Sequence, residues 1–569
     1  MKITTIKFVI LAKNYYLCDA IKNEKTMIHY FTRLQKQMKE NWNGLALCDY
    51  RGEKFTFGRT AEAIARFHIL FEQLGIAKGE KIAICGKNQA RWAVTFLAAN
   101  TYEAVVVPIL ANFHPDNVCN ILNSSEAVLL FADDDIWANL DENVLKGVKT
   151  VISLKDFSPI YCSQEASEIF KNLDEAFNEK YPGGFSASDI DYPTDNHQNI
   201  AVINYTSGST GNPKGVMLRY ESFSANTEFG QTLEPSTKDD NLLSILPLAH
   251  MFGMSFDMIY PLCGGTTIYF LGRTPSSSLL MKALSEIKPF HFTAVPMVYE
   301  KMYHNVIRPI LNKPAIRVMM SMPGLSKLVY KNVRRAMDDA FGGKMQCYIM
   351  GGAAVNPDVE KFFRKIGLHF TVGYGMTEAG PLLAYEKWDK FALQSCGKAM
   401  AFVKLRIDSY DPRNVPGEIQ AKGVNLFVGY YKNEEATKAA FTEDGWFRTG
   451  DLGIIDKKGN VFIKGRIKNM LLSSNGENIY PEEMESIINN VEFVKESLVV
   501  MRNRKLVALI DIDNDAIKKL NITEKAALAK IKKEANLKLD KQCQLSDVQI
   551  IKEPFEKTPK MSIKRYLYN

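Results

Sequence analysis

The chain has 569 residues, with 71 Lys and Arg against 64 Asp and Glu, for a formal net charge of +7. Hydrophobic residues make up 46%, which excludes wholesale disorder and allows a large core without disulfide staples. The charges are mixed and form no long basic block, which argues against a dedicated nucleic-acid binder.

Residues 3–12 hold an apolar stretch, but Lys7 interrupts it and Lys13 closes it, so it is too short to span a bilayer. Helical periodicity firms up only after Met27, and residues 1–26 are expected to be an extension outside the fold. Residues 50–56 (YRGEKFT) read as a small hairpin. Apolar residues recur at helical spacing over 60–74. Residues 81–85 predict a strand, 90–100 a helix, and 104–109, 127–131, 148–154 and 200–204 further strands. Strands alternating with helices predict parallel α/β sheets. Residues 411–417 (DPRNVPG) are rich in turn formers and precede a region expected to hold shorter strands. Beyond Arg466 the chain becomes lysine-rich and reads as a compact β/α unit, with a boundary near Lys468. The nine cysteines are widely spaced without a C-x-x-C pair. They are expected to be reduced thiols of a cytoplasmic protein.

Residues 205–215 read YTSGSTGNPKG. Gly208, Gly211 and Gly215 permit unusual backbone angles and close ligand approach. Thr206, Ser207, Ser209 and Thr210 supply hydroxyls. Successive backbone N–H groups form an anion-binding concavity, and Lys214 adds a point charge. The pattern departs from G-x-x-x-x-G-K-[ST], so it is not a Walker A loop. It reads as a fixed phosphate-holding loop.

This motif resembles that of the acyl-adenylate-forming enzymes, which include acyl-CoA synthetases, peptide-synthetase adenylation domains and beetle luciferase. Four further segments follow in that family's order: LPLAHMFG (246–253), GYGMTE (373–378), RTGDLG (448–453) and KGRIKNMLLSSNGENIYPEEME (464–485). The resemblance covers residues 55–565. It implies an α/β fold: a large N-terminal domain (27–467) of stacked, mostly parallel sheets with helices, and a small mobile α+β C-terminal domain (468–569). It also implies a two-step reaction. A carboxylate and ATP give acyl-AMP and pyrophosphate, and the CoA thiol then attacks. Charge builds on phosphate oxygens in the first step, so cations, aligned N–H donors and Mg²⁺ are required.

The resemblance assigns roles to particular residues. Glu378 would hold Mg²⁺, and the Thr377 hydroxyl would touch the α-phosphate. Tyr374, with Gly375 after it, would stack on adenine, and Gly351, Gly352 and Ala353 would form the wall of the adenine pocket. Asp451 would bind the ribose hydroxyls, joined by Arg466. Lys468 would be the hinge, and Ser473, Ser474 and Gly476 would line the CoA channel. His250 would close the acyl pocket near the reacting carboxylate. Met251, Met254 and Met258 share a helical face and suit either an acyl tunnel or ordinary core. Asp257 sits in apolar surroundings, against an ammonium-binding role.

The C-terminal motif departs from the family. Residues 556–565 read EKTPKMSIKR, against a usual T-P-T-G-K-I-x-R, so Ser562 stands where the family has its bridging lysine. If the segment is extended, Lys560, Ser562 and Lys564 share one face, and Lys560 or Lys564 would substitute. The phrase SSNGENIYPEEME is closest to long-chain fatty acyl-CoA synthetases. The expected substrates are a fatty acid, ATP and CoA, with no nucleic acid. A fatty product implies transient contact with the inner face of a membrane. Oligomeric state stays open. The alternatives are an enzyme that loads a carrier protein, and a non-catalytic descendant that binds nucleotide or fatty acid.

Overall fold

The computed structural model describes residues 27–206, 213–273, 276–303, 307–322, 324–472, 478–503, 505–519, 522–557 and 563–568. The expectation for residues 1–26 lies outside these. The first helix, Tyr30–Glu40, buries Tyr30, Phe31, Leu34 and Met38 along one face. The hairpin expected at 50–56 is the turn between strands Leu45–Asp49 and Lys54–Thr56.

Two large sheets carry most of the chain. One has eight strands in the order Gly429–Tyr430, Lys214–Arg219, Ile200–Thr206, Val105–Leu110, Lys81–Gly86, Ala127–Ala132, Thr150–Ser153, Pro159–Tyr161. Its central pairings are parallel and its outer ones antiparallel. The other has nine strands in the order Lys398–Ala399, Leu382–Tyr385, Phe370–Gly375, Cys347–Gly351, His291–Ala294, Asn241–Ser244, Thr267–Phe270, Leu45–Asp49, Lys54–Thr56. Its central run is likewise parallel.

Central strands are buried on both faces, which is why they read as apolar runs. Ile82 and Ile84 enter the main core with Leu242 and Ile268, while Ala83 and Cys85 enter a smaller core on the opposite face. The eight described cysteines are all free thiols.

A four-stranded antiparallel sheet follows: Val403–Asp408, Gly417–Gly423, Phe447–Ile455 and Val461–Arg466. Its strands are six to nine residues long. The expectation of shorter strands there fails. The turn-rich residues 411–417 mark a hairpin in an antiparallel sheet, and strand length does not change.

The C-terminal part has its own apolar core, drawn from Ile479 to Val548. It contains helices Pro481–Ile488 and Glu524–Asn536 and strands Val494–Arg502, Lys505–Ile512 and Asp547–Ile550. The architecture is therefore mixed α/β, with a large N-terminal part and a smaller C-terminal one. Asn356 donates to Asn490, and Lys538 approaches Asp358 at 4.0 Å, where the two parts meet.

Candidate active site

In open parallel sheets, ligands sit beyond the carboxyl ends of the strands. Three strands of the nine-stranded sheet end together here. Cys347–Gly351 runs into Gly352 and Ala353, Phe370–Gly375 into the turn Thr377–Ala379, and His291–Ala294 into Val295. A cavity of about 3090 Å³ opens at this edge. It brings together Thr206, Lys214, His250, Gly351, Gly352, Ala353, Tyr374, Gly375, Thr377, Glu378, Asp451, Arg466, Lys468 and Lys564. Ser207, Gly208, Ser209, Thr210, Gly211, Ser473, Ser474, Gly476 and Lys560 lie outside the described residues.

Thr206 and Lys214, which flank the undescribed part of the phosphate motif, face each other across an antiparallel pair. The next strand in that sheet, Gly429–Tyr430, pairs Tyr430 with Val216, two residues beyond Lys214. Lys214 Nζ lies 5.1 Å from the Tyr430 ring centre, and the Tyr430 hydroxyl donates to Glu378 Oε1 at 3.0 Å. Tyr430 thus ties the phosphate hairpin to the Thr377–Ala379 turn. Sequence reasoning missed it, because FVGYYKN carries no motif.

Asp451 and Arg466 are direct partners on adjacent antiparallel strands. Arg466 Nε lies 3.0 Å from Asp451 Oδ1, and the Tyr374 hydroxyl donates to Oδ2 at 2.8 Å. Asp451 is only 4% exposed. Burial raises its carboxyl above the usual range, with Arg466 and the Tyr374 hydroxyl opposing. Each carboxylate oxygen still has a second lone pair to offer. Backbone fit matters at two glycines. A Cβ on Gly375 would collide with the Pro381 carbonyl, and Gly352 adopts φ +85°.

His250 Nδ1 accepts from the Phe252 N–H at 3.2 Å, which places the proton of a neutral ring on Nε2. The following segment, Gly253–Ile259, is a π-helix. Met251, Met254 and Met258 are fully buried in the core and do not line the cavity. Phe252, Phe256 and Tyr260 line it instead. Asp257 is fully buried, with its carboxyl pushed up to about 8 by burial, and it does not line the cavity.

The profile of AMP-binding enzymes matches residues 34–431, and that of the AMP-binding enzyme C-terminal domain matches residues 468–568. The chain belongs to the AMP-binding enzyme family. A long-chain-fatty-acid–CoA ligase of Mycobacterium bovis is 28% identical over 473 residues, covering 78% of this chain and 74% of the relative. Long chain acyl-CoA synthetase 1 of Arabidopsis thaliana is 27% identical over 474 residues, covering 78% and 71%. ATP-bound MatB from Rhodopseudomonas palustris shares the fold at a TM-score of 0.73 and 23% identity, covering 95% of this chain and 97% of that one.

In this AMP-binding enzyme, Lys468 lies in the turn Ile467–Asn469. Asn469 reaches Glu482 at 2.6 Å, and Lys464 reaches Glu483 at 2.9 Å. Lys557 and Ile563 form an antiparallel bridge. The expectation of one extended face shared by Lys560, Ser562 and Lys564 falls on residues 558–562, which lie outside the described residues. Lys564 still lines the cavity, paired with Glu556 at 3.1 Å. Lys557, which sequence reasoning passed over, lines it too and pairs with Glu496 at 2.9 Å.

Proposed function

We propose that this enzyme is an ATP-dependent fatty acid–CoA ligase for long-chain substrates, working through acyl-AMP. One observation carries the reading. A phosphate hairpin, an acid–base pair fit for a ribose and an aromatic-lined apolar pocket open into a single cavity. The long-chain specificity of the relatives named above supports the choice of substrate.

The residues divide the work. Lys214 and the N–H groups of its hairpin attract the ATP phosphates, and Thr377 donates to the α-phosphate. Asp451 accepts from the ribose hydroxyls while Arg466 and Tyr374 hold it in place. Tyr374, Gly375 and the wall Gly351–Ala353 take the adenine. His250 Nε2–H faces the substrate carboxylate, and Phe252, Phe256 and Tyr260 exclude water from the acyl chain. Glu378 suits Mg²⁺ carried in with ATP, which takes one or two carboxylates beside phosphate oxygens. Glu378 lines the cavity, and its Oε1 accepts from the Tyr430 hydroxyl, which holds the carboxylate in place. When bound, the ion neutralises developing phosphate charge. The C-terminal domain (468–569) swings about Lys468, so that Ser473, Ser474 and Gly476 line the CoA channel in the second step. A panel of acids from four to twenty carbons, with ATP, Mg²⁺ and CoA, tests the function. Thioester and AMP should form together, with the longer acids favoured. AMP without thioester, or no acid-dependent AMP, overturns it.

Lys560 or Lys564 is proposed to replace the lysine missing at Ser562. The double variant Lys560→Ala/Lys564→Ala should lower pyrophosphate exchange at least tenfold, on the order of one lost charge-assisted contact. Full exchange in the double variant sinks the assignment.

A peripheral membrane contact is also proposed. Among the described residues no helix is long and apolar enough to cross a membrane. Helices Pro314–Ser321 and Leu325–Ala340, with Met322 between them, instead expose Val318, Met322, Leu325 and Leu328, with Val318 54% exposed. Residues 301–337 carry eight Lys and Arg and no Asp or Glu. Apolar side chains amid cations suit an anionic bilayer surface. Co-sedimentation with phosphatidylserine vesicles should fall sharply in Val318→Asp/Leu328→Asp and at high salt. Equal binding to uncharged vesicles would count against it.

A further inference from the structure

The acyl side of the cavity has a polar floor that adenylation does not use. Side chains alternate along a strand, and His291, Thr293 and Val295 face the cavity in turn. Leu242 and Ser244 do so from the next strand, where Leu242 pairs with His291. The lining therefore runs from the carboxyl ends of the strands back to their amino ends. Val295 to His291 is four residues, or ~13 Å at ~3.3 Å each. An extended chain advances ~3.5 Å per three bonds, so this depth holds about eleven bonds.

His291 is 1% exposed, and neither ring nitrogen has a hydrogen-bond partner. Burial pushes its imidazole down to about 3, so the ring is neutral and offers one donor and one acceptor. Nε2 lies 3.8 Å from Glu234 Oε2. That is too far for a direct hydrogen bond, and close enough for one oxygen atom to reach both. Glu234 is balanced by Lys387 at 3.9 Å. Phe229 and Leu233 keep the surroundings apolar. A plain alkyl chain here would leave buried polar groups unsatisfied, which is unfavourable.

We propose that the pocket is built for a hydroxylated fatty acid, its hydroxyl seated between His291 and Glu234 about eleven bonds from the reacting carboxylate. The inference rests on the ligase reading. The hydroxyl donates to Glu234 and accepts from His291 Nε2–H, adding no charge to a site where Glu234 and Lys387 already balance. A carboxylate would be repelled by Glu234, and an ammonium would displace Lys387.

The test compares kcat/KM for plain acids with hydroxy acids of the same length, the hydroxyl stepped from carbon 8 to carbon 14. Sites that hydrogen-bond a substrate hydroxyl reject the analogue lacking it strongly. The wild-type enzyme should prefer one hydroxy acid at least tenfold, and His291→Leu should bring that ratio to about one. The inference is overturned by a wild-type ratio of one or less at every position. It is also overturned by an unchanged ratio in His291→Leu, or by a stronger preference for carboxy- or amino-terminated acids. If no acid yields AMP or thioester, the ligase reading fails separately. Equilibrium binding of the same pairs, read by thermal shift, then decides the inference with the same criteria. Should His291→Leu not fold, the wild-type ratios decide alone.

Discussion

Glu378→Gln is expected to slow acyl-adenylate formation by about 10²–10³-fold, the size of losing one preorganised contact to transition-state charge. The substitution keeps shape and leaves a carbonyl oxygen for the Tyr430 hydroxyl, which now donates to Glu378 Oε1 at 3.0 Å. The lost rate therefore reports the missing charge and not a collapsed turn. Pyrophosphate exchange measured across a Mg²⁺ titration checks it. The variant should need more Mg²⁺ and still fall short of the wild-type rate. A wild-type rate at ordinary Mg²⁺ would remove Glu378 from the metal role.

Asp451→Asn should raise the KM for ATP about a hundredfold, or ~2.8 kcal/mol at 1.4 kcal/mol per decade. Asparagine preserves volume but loses the charge facing Arg466 and puts an N–H₂ where a ribose hydroxyl needs an acceptor. The site is buried, so the loss is little screened. Tyr374→Phe separates positioning from binding. It removes only the hydroxyl that donates to Asp451 Oδ2 at 2.8 Å, and should cost about 1 kcal/mol. An unchanged ATP KM in Asp451→Asn, with normal thermal stability, would take Asp451 out of the nucleotide site.

The strands at Lys81–Gly86 and Val105–Leu110 were legible because strands buried on both faces read as apolar runs. The motif residues were legible because each segment is local: a few residues on one turn carry the pattern. Tyr430 was not, since its role depends on an edge strand that adds to the phosphate hairpin more than 200 positions later in the chain. The methionines were left between acyl lining and ordinary core, and the tertiary structure decided for core: Met251, Met254 and Met258 are buried, while Phe252, Phe256 and Tyr260 line the cavity. His291 and Glu234 were invisible, because neither stands in a motif and they lie 3.8 Å apart only through sheet and loop packing.

By itself, the sequence determined the alternation of strands and helices, the family, and which short segments match that family's motifs. Those properties follow from local periodicity and from side-chain types at close spacing. Only the tertiary structure decided that Asp451 meets both Arg466 and Tyr374, and that Lys557, Lys564, His291 and Glu234 line one cavity. Such pairings join distant parts of the chain. They are set by strand order and register, which no single segment encodes.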